Sequence, residues 1–151
     1  MSQVQTPSQS LPDWTGRLSE HALACAGAYP SEQARRLREL RELLASAPDA
    51  AARLGSNVPE PAIFAAMLRA EAWESAALSL LGDDAGYMLS RGPAGRHMAS
   101  VMLPGRPEES TATADTAALA LAAALAMALQ DGPLRYGDMG DAASPTPMRL
   151  N

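Results

Sequence analysis

Apolar residues recur at helical spacing early in the chain. Leu11, Trp14, Leu18, Ala22, Cys25 and Tyr29 share about one third of the helical circle. They predict an amphipathic helix from about Asp13 that ends between Gly27 and Pro30. A second helix is expected with Ser31 as its N-cap and with Leu37, Leu40 and Leu44 on one side. Its other side carries Glu32/Arg36, Arg35/Glu39 and Arg38/Glu42 four residues apart. Each such pair is worth only about 0.2–0.5 kcal/mol, so the charge run reads as a solvated face. Gly55-Ser56-Asn57 marks a break. One long helix is then expected from Pro61 to Leu81, with Ile63, Met67, Ala70, Ala77, Leu78 and Leu81 on its apolar arc.

Beyond Gly82 the period changes to two. The segment from Tyr87 to Leu103 alternates on both sides of Pro93-Ala94-Gly95, where a three-residue turn needs a proline-compatible first position and a left-handed third. This predicts a hairpin over 86–103. Tyr87, Leu89, Arg91, His97, Ala99, Val101 and Leu103 fall on one face, and Met88, Ser90, Met98, Ser100 and Met102 on the other. A third strand is expected at Glu109–Thr113, then a helix from Ala117 to Leu129 capped by Asp115 or Thr116. That helix contains no polar residue and is too short for a membrane span, which needs about 20 residues. Both of its faces require cover, one from the sheet and the other from the N-terminal helices or a second subunit.

The expected fold class is therefore α+β: N-terminal helices, a long helix, a two- or three-stranded antiparallel sheet and a buried Ala/Leu helix. The expected segments are a disordered tail at 1–10, a helical part at 11–56, an α-β-β-(β)-α core at 57–131 and a flexible tail at 132–151.

The chain has 151 residues, 32 of them alanine, with 12 arginines, no lysine and a net charge of −5. An acidic chain is not a general polyanion coat. The single Cys25 excludes an internal disulfide framework and suits a reducing compartment. Met1–Pro12 lacks the basic and apolar regions of a signal peptide, so the cytoplasm is the expected location.

Candidate chemistry is sparse. Glu74 falls in the middle of the long helix's apolar arc, where a carboxylate must be paired or protonated, and Arg91 or His97 of the hairpin are its candidate partners. His21 and Cys25 are spaced to share a metal, but further ligands are lacking, and the simpler reading is a packed thiol bonded to a histidine. No phosphate-binding glycine loop or nucleophile elbow is present, and neither a metal nor a cofactor is expected. From Ala85 to Pro107 there is no acid, while Arg91, Arg96 and Arg106 stand near His97 and Tyr87. These five residues form the candidate partner-binding surface, because guanidinium groups grip carboxylate or phosphate.

The order helix, hairpin, strand, helix from Pro61 to Leu129 resembles the double-stranded-RNA-binding domain. Where that family carries lysines at the start of its last helix, Ala114, Asp115, Thr116 and Ala117 stand here, so the likeness extends to topology alone. The stretch VMLPGRPEESTATADTAALALAAALAMAL resembles HicB-type antitoxins, which implies a nucleic-acid-associated regulator that suppresses a toxin. The primary expectation is a small non-enzymatic binding or adaptor protein that self-associates and faces a partner with its basic hairpin. An antitoxin-like regulator is the first alternative, and a small enzyme using Glu74 and His97 is the second.

Overall fold

The computed structural model describes residues 9–106 and 108–131. The tails expected at 1–10 and 132–151 lie outside the described residues, apart from Gln9 and Ser10. Helix α1 runs Leu11–Ala26 and begins two residues before the expected start, because the Ser10 hydroxyl accepts from the Asp13 N–H at 3.2 Å. A 3-10 turn at Pro30–Glu32 leads into α2, Gln33–Ala45. Ser31 therefore lies inside that turn and is not a cap. The Glu32 carboxylate instead takes the Tyr29 N–H at 2.8 Å.

The stretch expected as one helix is two, α3 at Pro61–Arg69 and α4 at Trp73–Leu78. Between them Glu71 adopts φ 56°, and the Ala72 N–H reaches back to the Met67 carbonyl at 2.9 Å. This six-residue closure ends a helix with a left-handed residue, a place that glycine usually takes. The break resets the helical phase. Phe64 and Leu68 are buried while Ile63 and Ala70 are exposed, and Glu74 is exposed rather than buried.

Strands β1 (Gly86–Arg91), β2 (His97–Met102) and β3 (Ser110–Ala114) form an antiparallel sheet in the order β1-β2-β3. Gly95 has φ 81° in the expected turn, and the Gly92 N–H donates to the Arg96 carbonyl at 2.9 Å. Register is one to one from Gly86↔Met102 to Arg91↔His97, so the two faces are those the alternation predicts. Helix α5, Ala117–Gln130, begins with the Thr116 hydroxyl accepting from the Leu119 N–H at 3.1 Å.

Helix α5 is the centre of the molecule. The inward residues Ala99, Val101, Ala112 and Ala114 of β2 and β3 lie on one side of it, and α1, α2 and α4 lie on the other. The second apolar face is thus covered from within the chain, by the N-terminal helices. One hydrophobic cluster joins both expected segments, from Trp14 and Leu18 through Leu40 to Leu125 and Leu129. The 55–57 break is stitched down: the Gly55 carbonyl accepts from the Gly82 N–H at 2.7 Å and the Leu80 carbonyl from the Asn57 N–H at 2.8 Å. Gly55 has φ 93°, and a Cβ there would lie 2.7 Å from the Pro104 ring. No helix among the described residues is long and apolar enough to cross a membrane.

Candidate functional site

Strand β1 is only thinly covered on either face. Tyr87 is 49% exposed, Met88 70% and Leu89 37%, although all three are large and apolar. The cause is topological. Helix α5 lies beneath β2 and β3, and β1 extends past it as the sheet's edge. Tyr87 and Leu89 share the inward face with Val101 and Ala99 across the ladder, yet only the latter two are buried. On the outward face Met88 stands with Met98 and Met102, all exposed, beside a Ser100–Thr111 hydroxyl bond of 2.8 Å.

The hairpin closure also determines which backbone groups are free. In an antiparallel ladder, alternate residues turn N–H and C=O toward the same neighbour. Gly92 donates to Arg96, its partner in the continued register, so the even-numbered residues of β1 bond to β2 and Tyr87, Leu89 and Arg91 present theirs at the open edge. No other strand pairs with that edge among the described residues.

The five residues of the candidate surface have separate fates. Tyr87 and Arg91 are exposed on β1. Arg96 is exposed at the turn, but its Nη1 lies 3.2 Å from the Asp115 carboxylate. His97 is half-buried opposite Arg91. Arg106 is only 8% exposed, and its guanidinium donates to the carbonyls of Ala128, Leu54 and Ala52 at 3.3–3.4 Å. It is a strut tying the end of α5 to the 52–54 turn, and burial pulls its pKa below the usual value. Nothing in the side-chain pattern announces this, because all its partners are backbone oxygens.

Glu74 and His97 line one pocket of about 410 Å³, together with Gln33, Trp73, Thr116 and Ala117. The helix break that exposes Glu74 also swings it toward this mouth. No ion pair among the described residues joins the two.

A second cluster sits between α1 and α2. The Cys25 Sγ lies 3.3 Å from His21 Nε2, and His21 Nδ1 lies 3.5 Å from a Glu39 carboxylate oxygen. Thiol, imidazole and carboxylate stand in the order of a nucleophilic relay, but burial pushes the thiol up to about 12. The protonated thiol donates to Nε2, and Nδ1–H then faces Glu39. Burial lowers the His21 pKa against the raising effect of Glu39, which keeps the ring neutral. The i,i+4 spacing foretells the His21–Cys25 bond. Glu39 belongs to another helix and carries no such signal. The group borders a groove of about 750 Å³ whose lips are the charged residues of both helices. On the α2 surface, Glu32 and Glu39 bridge Arg35 and Arg36 at 2.7–3.7 Å, while Glu42 pairs with Arg41 and not with Arg38.

Comparison with models of protein families, with curated proteins and with solved structures finds no match to the chain.

Proposed function

We propose that this protein is a small cytoplasmic binding or adaptor module whose docking element is β1, to which an extended polypeptide segment adds as a further strand. The observation that supports this reading most is a complete, unbulged edge strand, apolar on both faces, with the N–H and C=O of Tyr87, Leu89 and Arg91 directed outward. Strand addition draws affinity from such backbone groups and specificity from alternate side chains. A segment presenting apolar residues to Tyr87 and Leu89 and an acid to Arg91 has the matching chemistry. The free thiol of Cys25 suits a reducing compartment.

The hairpin's cations favour this over contact with nucleic acid. Arg106 is spent inside the protein and Arg96 is paired, which leaves Arg91 and half-buried His97. Affinity for a polyanion grows with each phosphate neutralised, and so small a set provides little.

The test is selection from a displayed library of extended peptides. Leu89→Pro removes an outward N–H that bonds to nothing in the sheet, and proline is tolerated on edge strands. Selected peptides are expected to lose binding to Leu89→Pro and to keep it for Leu23→Asp, a change on an exposed part of α1. Equal retention by both variants would remove β1 as the docking element.

A second reading rests on the shared pocket of Glu74 and His97, whose volume suits a small ligand. In a thermal-shift screen of small polar compounds, a hit that vanishes in both Glu74→Gln and His97→Ala would support it. Hits insensitive to both would end it.

A further inference from the structure

Resting on the docking-strand reading above, we propose that the strand added to β1 is β1 of a second copy, paired antiparallel about a two-fold axis at Met88. A sheet that runs continuously through such an axis must place residues of the same face opposite one another. The residues opposed are then both odd-numbered or both even-numbered. The open-edge backbone groups belong to the odd residues of β1, so an axis at Met88 sets Tyr87 against Leu89 of the second copy, and Leu89 against its Tyr87, as hydrogen-bonded pairs.

Three properties of the strand suit its own copy. The Tyr87 and Leu89 pairs cover each other on the face that α5 leaves bare, and aromatic–aliphatic pairs are favourable cross-strand neighbours. Charge also selects the antiparallel direction. Arg91 closes one end of β1, while Asp83 and Asp84 stand in the turn before the other. Antiparallel pairing brings Arg91 of each copy to the aspartates of its mate, whereas parallel pairing would set like charge beside like. Finally, β1 lacks the devices that keep edges apart: it has no proline, no bulge and no charge before Arg91. The opposite edge, β3, turns Thr111 and Thr113 outward.

The axis position follows from the same residues. Moving it to Leu89 draws Arg91 away from the aspartates, and moving it to Tyr87 leaves Leu89 facing Ala85 and shortens the ladder.

The test combines sedimentation equilibrium on the full chain with disulfide trapping. The wild type is expected to be a concentration-dependent dimer and Leu89→Pro a monomer. Arg91→Asp and Asp83→Arg should each weaken the dimer, and the double variant should recover it. Met88→Cys places two thiols directly opposite one another at a non-hydrogen-bonded pair, whose Cα separation of about 4.5 Å a disulfide can span. It should cross-link on mild oxidation, whereas Ser90→Cys, displaced from its own copy, should not. Buried Cys25 adds no competing thiol.

A wild type that stays monomeric, or equal trapping at both cysteine positions, overturns the proposal. If that monomer still loses its selected peptides on Leu89→Pro, the docking reading stands and the second copy is wrong. If Leu89→Pro alters neither property, both fall.

Discussion

Helix α5 and strand β1 are both rich in apolar residues, and they meet opposite fates. From Ala117 to Leu129 every residue of α5 except Met127 is buried, whereas every residue of β1 is exposed. Apolarity therefore does not decide burial here; the number of elements laid against each does. Helix α5 has the sheet on one side and α1, α2 and α4 on the other. Strand β1 pairs with β2 alone and touches only the margin of the helix beneath the sheet. A surface the fold leaves bare despite its composition is one from which a second strand gains most.

The sharpest way to break this comparison is to put the same charge in both places. Ala123 is fully buried where α5 meets its neighbours, and Ala123→Asp leaves a carboxylate without water or partner. The expected loss exceeds about 4 kcal/mol, a large part of a small domain's stability, and urea titration should find the chain largely unfolded. At dilutions where the chain is monomeric, Met88→Asp on β1 should change the unfolding free energy by less than about 0.5 kcal/mol. A comparable loss from Met88→Asp at those dilutions would mean that β1 is covered within the single chain.

Next in size is the strut at the end of α5. Arg106→Met keeps much of the side chain's bulk but strips the donors from the carbonyls of Ala52, Leu54 and Ala128. Leaving buried carbonyls unsatisfied should cost roughly 2–4 kcal/mol in the same titration. Arg106→Lys should recover only part of it, since an ammonium cannot reproduce a guanidinium fork. Arg91→Met, the matching change on β1, should be nearly neutral to the stability of the monomer. If Arg106→Met were as mild, the strut would be idle and its charge available to a partner after all.

The same contrast explains what the sequence makes legible. Helix α5 announces itself through an unbroken apolar run, and the hairpin through Pro93-Ala94-Gly95, because these signals are local and strong. Strand β3 and the Thr116 cap fall within a residue of expectation. The break between α3 and α4 is invisible, since neither glycine nor proline occurs near Glu71 and a glutamate occupies the left-handed position. Carrying one helical phase across that break is what misplaces Glu74 in the core. Among the candidate residues, Tyr87 and Arg91 stay at the surface because they stand on the edge strand, which α5 barely reaches. Arg106 does not, because its destination is decided by backbone oxygens brought together from distant parts of the chain. Alternation sets Tyr87 and Leu89 on one face with Val101 and Ala99, yet only the last two are buried. Whether cover exists beneath an edge strand depends on how far a helix reaches, which no local pattern records.

The smallest expected effect sharpens the other side of α5, where α1 and α2 lie against it and His21 is packed between them. Burial lowers the His21 pKa in the folded protein below its ordinary value of 6.5. The unfolded chain therefore takes up this proton first as pH falls. Linkage then requires that the stability tied to neutral His21 is present in full above pH 6.5 and is lost as pH drops from there through the folded pKa. Its slope cannot exceed about 1.4 kcal/mol per pH unit for one proton. Thermal unfolding of the wild type should weaken from neutral pH toward pH 5, and His21→Gln, which has no proton to gain, should be flatter over that interval. A His21→Gln curve parallel to the wild type would assign the pH dependence to groups outside the α1–α2 contact. Strand β1 contributes no such slope, because it carries no histidine, aspartate or glutamate.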